Sequence, residues 1–171
     1  AGGRAAQPAW GATTPMRRAR VMFKFKELLE KHADELARQI SKEHGKVLSD
    51  ALGEVARGLE NIEFACGIPN LMKGSYSEQA STGVDVYSIK QPLGVVANVS
   101  AWNYPYFVGS NVFVPALLTG NAVLYKPSEH AALTGLAIGE LMHEAGVPKD
   151  VFQVIVGAGA IGRALVEQRI D

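Results

Sequence analysis

This chain of 171 residues has little cysteine, no net charge and no long apolar run, and each absence excludes a class of site or binding partner. A single cysteine, Cys66, excludes an intramolecular disulfide and a thiolate metal site, and no metal site is predicted. The 17 basic and 17 acidic side chains cancel without forming long runs of one sign, so binding to nucleic acid or an acidic membrane is not expected. No apolar stretch approaches the roughly 20 residues of a membrane span, and no secretion signal is recognisable. We therefore expect a soluble globular protein of the cytoplasm or of an organelle matrix.

The amino-terminal region is predicted to be helical after an irregular start. Residues 1–12 contain three glycines and a proline without periodicity, which predicts an arm or a poorly ordered segment. Thr14 followed by Pro15 is typical of a helix start, and apolar residues at helical spacing continue to about Lys31. The basic stretch 17–26 within this helix is interpreted as a solvated face.

Two further helices are predicted before the chain changes character. The first follows a break near His32 and ends at Gly45, and the second is capped by Ser49 or Asp50. Cys66 lies at the apolar end of this last helix, with no histidine near it in the sequence. Buried free cysteines in such positions mostly act as small hydrophobic residues, so Cys66 is not predicted to be a nucleophile.

Strand patterns replace helical ones in the second half of the chain. Residues 75–83 are polar and turn-rich, and residues 84–90 alternate as a half-exposed strand does. The apolar run 93–99 is typical of a strand buried on both faces, and strands then alternate with helices to the end. This alternation predicts an α/β fold with a parallel sheet and helices on both faces. The predicted regions are a helical region of residues 1–74, a strand segment of residues 75–92 and an α/β region of residues 93–171.

Ligands of a parallel sheet bind where strands end and loops lead into helices. The predicted strands end at three loops, residues 100–105, 126–130 and 157–162. Most of the unusual residues of the chain lie in these loops.

The first loop, Ser-Ala-Trp-Asn-Tyr-Pro, carries a carboxamide at Asn103. An asparagine at a strand end can direct its N–H donors at a developing oxyanion. The alternative is an Asx turn or a helix cap, which the residues alone favour.

The second loop, Lys-Pro-Ser-Glu, carries a cation at Lys126 and a carboxylate at Glu129. At the end of a second parallel strand such a pair can bind a ribose, because a carboxylate accepts hydrogen bonds from both hydroxyls of a diol. The alternative is a capped helix start, with Ser128 as the N-cap and Glu129 in the first turn. Lys126 has no role in that alternative.

The third loop fits the pattern G-x-G-x-x-G from Gly157 to Gly162. It follows the third strand of the unit, whereas the dinucleotide fingerprint follows the first strand. We interpret it as a tight turn with close helix packing and do not place a pyrophosphate there.

Three long segments together resemble the aldehyde dehydrogenase superfamily. They are QPLGVVANVSAWNYP, PALLTGNAVLYKPSE and EAGVPKDVFQVIVGAG, in the order and spacing of that family. TPMRRA and EHGK in the helical region also match, so the resemblance covers residues 9–171. It implies a partial Rossmann-like domain and the NAD(P)-dependent oxidation of an aldehyde to a carboxylate through a cysteine thioester.

The resemblance also implies roles for individual residues. Asn103 would stabilise the oxyanion, and Lys126 and Glu129 would hold the adenosine ribose of NAD, with NADP as a possible substitute. Other residues expected at the cofactor are Ser100, Ala101, Trp102, Ser128 and Gly157. The strand segment 84–90 matches the one that pairs in oligomers of the family, so a homodimer or homotetramer is implied.

The family's catalytic cysteine and general-base glutamate have no counterpart up to Asp171, and Cys66 does not match the motif of the nucleophile. This portion is therefore expected to be inactive alone, with the thiol supplied by residues beyond position 171. Two alternatives stay open: an inactive nucleotide-binding or structural fragment, and a semialdehyde dehydrogenase that transfers the acyl group to coenzyme A. Residues 63–96 resemble the methylmalonate-semialdehyde dehydrogenase branch, whereas the loop around Asn103 resembles the branches that oxidise betaine aldehyde.

Overall fold

The computed structural model describes residues 2–171 and consists of eight α-helices, five strands and a short 3-10 turn within that range. The helices are α1 Gly2–Ala12, α2 Pro15–Lys31, α3 Ala33–His44, α4 Leu48–Ala65, α5 Ile68–Leu71, α6 Phe107–Leu118, α7 Ala132–Glu144 and α8 Gly159–Val166. The strands are β1 Tyr76–Ser81, β2 Val84–Tyr87, β3 Val95–Val99, β4 Ala122–Lys126 and β5 Phe152–Val154, and the 3-10 turn is Glu129–Ala131.

The predicted parallel sheet is confirmed, with the strand order β3-β4-β5. Val99, the last residue of β3, lies opposite Lys126, the last residue of β4. Neighbouring residues Ala122 and Val123 of β4 are both fully buried. Because successive side chains of a strand point to opposite faces, the central strand is covered on both sides.

Helix α1 replaces the irregular start that the sequence predicted, so that prediction is wrong for residues 2–12; Ala1 lies outside the described residues. The helix packs against β4, and the buried Trp10 donates a hydrogen bond from Nε1 to the carbonyl oxygen of Leu117 at 2.9 Å. Gly3 is buried against the sheet, where a β-carbon would be in ordinary van der Waals contact with Leu124 at 3.9 Å. Packing onto the sheet, rather than helix propensity, stabilises this segment.

Helices α2, α3 and α4 follow the predicted order with one shifted boundary. The break at His32 and the end of α3 at Gly45 are confirmed. Helix α4, however, begins at Leu48 with Val47 as its N-cap, so the predicted cap at Ser49 or Asp50 is wrong. Asp50 instead lies in the first turn, where the helix dipole favours a carboxylate.

Strand β1 was not predicted, because all of its residues are exposed and show no apolar alternation. It pairs in antiparallel fashion with β2, with Tyr76 opposite Tyr87. The Tyr76 hydroxyl donates to Asp85 at 2.7 Å, and Gly83 forms the turn with a φ of 71°. Polar side-chain bonds and a permissive turn therefore form this hairpin without a core of its own.

Two side chains of the helical region are buried, in one case against expectation. Cys66 is buried as predicted, and its burial raises the pKa of the thiol. Arg18, predicted on a solvated face, is only 2% exposed. Its guanidinium donates to backbone carbonyls at the ends of two helices, including Leu118 of α6 at 2.8 Å and Gly11 of α1 at 3.1 Å. Arg18 therefore links the carboxyl ends of α1 and α6.

Candidate active site at the carboxyl ends of the parallel strands

The first two predicted site loops start side by side. The Val99–Lys126 pairing is extended by a hydrogen bond from the amide of Ser100 to the carbonyl oxygen of Lys126 at 3.0 Å. The Ser100 side chain is buried and donates to Oδ1 of Asn98 at 3.2 Å. The loop that carries Asn103 thus leaves the sheet next to the loop that carries Glu129.

Lys126 is buried at the carboxyl end of the central strand β4 and has few polar partners. Its side chain is 5% exposed, and the ammonium lies 3.8 Å from Oε2 of Glu129 and donates to the Pro127 carbonyl at 3.2 Å. Gly162 at the start of α8 lies against the lysine stem, since a β-carbon there would be 3.5 Å from Cε. The second and third loops therefore meet at Lys126.

Glu129 is half-exposed and ionised beside this lysine. A hydrogen bond from its own backbone amide, reinforced by the nearby Lys126 ammonium, lowers the pKa of Glu129 below its usual value. Ser128 is the N-cap of the 3-10 turn and accepts from the His130 amide at 3.3 Å, so the predicted cap is confirmed. The cap fixes the turn and leaves the Glu129 carboxylate facing solvent.

Asn103 lies in an exposed loop on the wall of a cavity of about 500 Å³, together with Trp102, Arg57 and Lys46. Tyr106, not Asn103, is the N-cap of α6, so the interpretation of Asn103 as a helix cap is wrong. Within residues 2–171 no hydrogen bond joins the Asn103 carboxamide to another side chain or to the backbone. Its donors are therefore available to a ligand.

Two charged residues that the sequence reasoning missed hold this loop. The Lys46 ammonium donates to the Asn103 carbonyl oxygen at 2.8 Å and pairs with Oε2 of Glu54 at 2.8 Å. Oε1 of Glu54 accepts from the amides of Tyr106 at 2.9 Å and Phe107 at 3.1 Å. A glutamate among the apolar core positions of α4 was the signal that could have revealed this role.

The remaining predicted residues occupy three different settings. Trp102 is exposed but stacks on the His44 ring, with centroids 5.2 Å apart, and Ala101 is exposed beside it. Gly157 makes a close approach, because a β-carbon there would lie 2.8 Å from Cβ of Ile161. This contact agrees with the tight turn predicted for the third loop.

The sequence model of the aldehyde dehydrogenase family matches residues 1–170. The chain belongs to the aldehyde dehydrogenase family. The family resemblance and the Rossmann-like fold predicted from the sequence are thereby confirmed.

Similar proteins include semialdehyde dehydrogenases. Malonate-semialdehyde dehydrogenase of Pseudomonas aeruginosa is 46% identical over 154 residues, which are 90% of this chain and 31% of that protein. The structure of methylmalonate-semialdehyde dehydrogenase from Oceanimonas doudoroffii aligns with a TM-score of 0.95 and 45% identity over 99% of this chain and 35% of that one. A protein of Sinorhizobium meliloti assigned to the same activity and solved with NAD aligns with a TM-score of 0.94 and 43% identity, covering 98% of this chain and 34% of that one. The chain thus spans about a third of the length of these relatives.

Two features are absent from residues 2–171. No helix in this range combines the length and apolarity needed to cross a membrane. No cluster of three or more His, Cys, Asp or Glu side chains there is arranged to hold a metal ion.

Proposed function

We propose that this chain supplies the oxyanion-stabilising and cofactor-binding portion of an enzyme that oxidises an aldehyde to a carboxylate with NAD(P). The observation that carries the proposal is the pairing of β3 and β4, which brings the Asn103 loop next to the Lys126–Glu129 turn. Ligands of parallel sheets bind beyond the carboxyl ends of the strands, where these two loops lie.

The residues of the second loop fit a nucleotide ribose. Glu129 is an ionised, half-exposed acceptor, and the buried Lys126 ammonium has donors that the Pro127 carbonyl does not use. We propose that these side chains hold the ribose hydroxyls of NAD, with NADP as the weaker ligand. Bound NAD would accept a hydride from the substrate.

Asn103 is suited to stabilise negative charge on the substrate. Attack of a thiolate on an aldehyde places that charge on the carbonyl oxygen, and a fixed donor in a recessed site stabilises it. Cys66 does not provide the thiolate, because it is buried and its pKa is raised by desolvation. We propose that the nucleophile belongs to the two thirds of the relatives' length that this chain does not span.

The cavity beside Asn103 suggests an aldehyde that carries a carboxylate. Arg57 and Asp50 both line it; Arg57 is exposed, and no carboxylate within residues 2–171, Asp50 included, forms an ion pair with it. The guanidinium lies over the rings of Tyr104 and Phe107, 5.6 and 5.7 Å from their centroids. A cation at this wall suits the free acid group of a semialdehyde, which agrees with the names of the relatives.

Replacing Arg57 tests the substrate class. In the full-length protein, R57L should lower kcat/KM for malonate semialdehyde by about 10- to 100-fold, because a charged hydrogen bond is lost. The oxidation of propanal, which lacks the carboxylate, should change little. An equal loss for both aldehydes would reject a carboxylate-binding role.

Replacing Asn103 tests the proposed chemistry. In the full-length protein, N103A should lower turnover by about 10²- to 10³-fold with an unchanged Kd for NAD, because the donor acts only on the developing charge. Unchanged turnover would reject the oxyanion role.

A second candidate function is nucleotide binding without chemistry, which the burial of the only cysteine favours. A source protein with a mass near 18.3 kDa that binds NAD but oxidises no aldehyde would support it. A mass near that of the relatives with dehydrogenase activity supports the enzyme. Formation of an acyl thioester on addition of coenzyme A would identify the acylating variant.

We also propose that the β1–β2 hairpin joins subunits in a homodimer or homotetramer. Its apolar side chains are exposed, with Val86 and Tyr87 at 52% and 73%. Apolar surface of this kind is typical of a contact site. Sedimentation of V86D should show smaller assemblies than the unchanged protein, and an unchanged mass would reject the hairpin as the interface.

A further inference from the structure

We infer that the turn at the end of α3, residues 43–46, is a positioning element with two side-chain arms. One arm sets the loop of residues 100–105, the oxyanion loop, and the other sets the loop of residues 126–130, the ribose loop, through helix α7. The inference rests on the proposed function, because it assigns Asn103 and the Lys126–Glu129 turn to one active site. We call residues 43–46 the α3 turn.

Lys46 is the arm that reaches the oxyanion loop. Its ammonium donates to the carbonyl oxygen of Asn103 at 2.8 Å and lies 4.3 Å from the centroid of the Tyr104 ring. The side chain is 9% exposed, and its ion pair with the fully buried Glu54 occupies the charge. Lys46 is therefore built to hold the backbone of the loop rather than to bind a substrate.

Glu54 holds the backbone on the carboxyl-terminal side of Asn103. The carboxylate that pairs with Lys46 also accepts from the amides of Tyr106 and Phe107, at the start of α6. The backbone is thus held at the Asn103 carbonyl and again at the first amides after Pro105. Removing Lys46 frees the carbonyl and leaves the buried Glu54 without its counter-charge, which is costly in a site closed to water.

Glu43 is the arm that reaches α7, the helix that follows the ribose loop. Its carboxylate accepts from the amides of Leu133 at 2.8 Å and Thr134 at 2.7 Å, and from the Thr134 hydroxyl at 2.6 Å. These amides belong to the first turn of α7, where an anion is favoured by the helix dipole. Helix α7 follows directly on the turn that carries Glu129, so Glu43 fixes the helix on which that turn is mounted.

Gly45 allows the two arms to diverge. Its φ of 86° ends α3 with a left-handed residue, and its amide donates to the Ser41 carbonyl at 2.9 Å. A β-carbon at Gly45 would meet no atom within 4 Å. A substitution there strains the backbone and nothing else, which makes it a clean way to disturb both arms at once.

Single substitutions in the full-length protein should separate the arms. K46M should lower kcat by about 10- to 100-fold, the cost of misplacing a catalytic group by a fraction of an ångström to an ångström, with the Kd for NAD unchanged. E43Q should weaken NAD binding about 3- to 10-fold while kcat at saturating NAD stays unchanged. G45A should impair both, and K46R should retain more turnover than K46M.

Hydrogen exchange gives a readout that does not depend on activity. The amides of Tyr106 and Phe107 should exchange faster in K46M, and those of Leu133 and Thr134 faster in E43Q, each without effect on the other pair. K42M, an exposed lysine of α3, and E140Q, an exposed glutamate of α7, are matched controls that should change neither exchange nor kinetics.

Parallel losses in kcat, NAD binding and folded protein for both K46M and E43Q would show that the α3 turn only supports the fold, and would overturn the inference. Normal turnover and exchange in K46M would also overturn it when N103A is defective, and the proposed function would then survive. Unchanged turnover in N103A would reject the proposed function itself.

Discussion

The phenol ring of Tyr106 packs directly against the α-carbon of Gly58, so that a β-carbon at Gly58 would lie only 2.7 Å from the phenol oxygen. This contact joins α4 to Tyr106, the N-cap of α6, which follows the oxyanion loop. Both residues are buried. The absence of a side chain at residue 58 thus sets how closely the two helices approach.

The first prediction concerns this contact. G58A should lower the free energy of unfolding by about 1–3 kcal/mol, because the added methyl group overpacks the α4–α6 interface. G53A on the same helix is the control, since its β-carbon would meet only the flexible end of Arg57 at 3.7 Å. It should raise stability by about 0.5–1 kcal/mol through reduced backbone freedom. Urea unfolding of both variants checks this, and a neutral G58A would contradict it.

The second prediction compares two buried tyrosines. The Tyr106 hydroxyl has no hydrogen-bond partner among residues 2–171, whereas Tyr125 donates to the Pro105 carbonyl at 2.9 Å. Burial raises the pKa of both phenols well above the usual range, so neither ionises. Y106F should therefore raise the free energy of unfolding by about 1 kcal/mol, and Y125F should lower it by about 1–2 kcal/mol. Equal effects in thermal or urea unfolding would show that the Tyr106 hydroxyl is satisfied.

Periodicity predicted the elements that bury one regular face and missed those stabilised by distant contacts. The apolar runs of β3 and β4 predict a parallel sheet, because the pattern of a strand that is buried on both faces is visible in its own residues. Helix α1 was missed because its glycines favour disorder and its stability comes from packing on β4 and from the hydrogen bond of Trp10 to Leu117. Strand β1 was missed because it is polar throughout.

The same distinction applies to the candidate site. Asn103 and Lys126 could be found because strand ends are marked in the sequence. The contact that holds the Asn103 loop could not be predicted. Lys46 lies 57 residues away from Asn103, and it binds a backbone carbonyl, which leaves no pattern among the side chains.

The third prediction concerns Arg18, which sequence reasoning placed in solvent. Its guanidinium donates to carbonyls at the ends of α1 and α6, and no carboxylate is within ion-pair distance of it in residues 2–171. R18M should lower the free energy of unfolding by about 3 kcal/mol or more, because several buried carbonyls lose their donor. R20M, on the exposed face of the same helix, should cost less than about 0.5 kcal/mol. Similar losses in urea unfolding of the two variants would mean that Arg18 is not a structural link.

The fourth prediction is the pH dependence of cofactor binding. The pKa of Glu129 is lowered, so the carboxylate that would accept the ribose hydroxyls is present above that value and is lost as the pH falls through it. The Kd for NAD measured by calorimetry should therefore stay constant from pH 8 to about pH 5 and rise only below the ordinary glutamate range, near 4.3. In E129Q the Kd should be higher and lack this acidic rise. A rise between about pH 6 and 7 would implicate a histidine instead.

The fifth prediction separates NAD from NADP through the charge of Glu129. A 2′-phosphate placed at the ribose would meet this carboxylate, and the Lys126 ammonium, 3.8 Å from it, compensates only some of the repulsion. E129Q should weaken NAD binding, because a charged acceptor is lost, and should weaken NADP binding less or strengthen it, because the repulsion is gone. The Kd for NADP divided by the Kd for NAD should therefore fall by about tenfold, which corresponds to roughly 1.4 kcal/mol. E140Q on α7 removes an equal charge away from the turn and should leave the ratio unchanged. If the ratio in E129Q equals that of the unchanged protein, the ribose lies elsewhere and the carboxylate only supports the start of the helix.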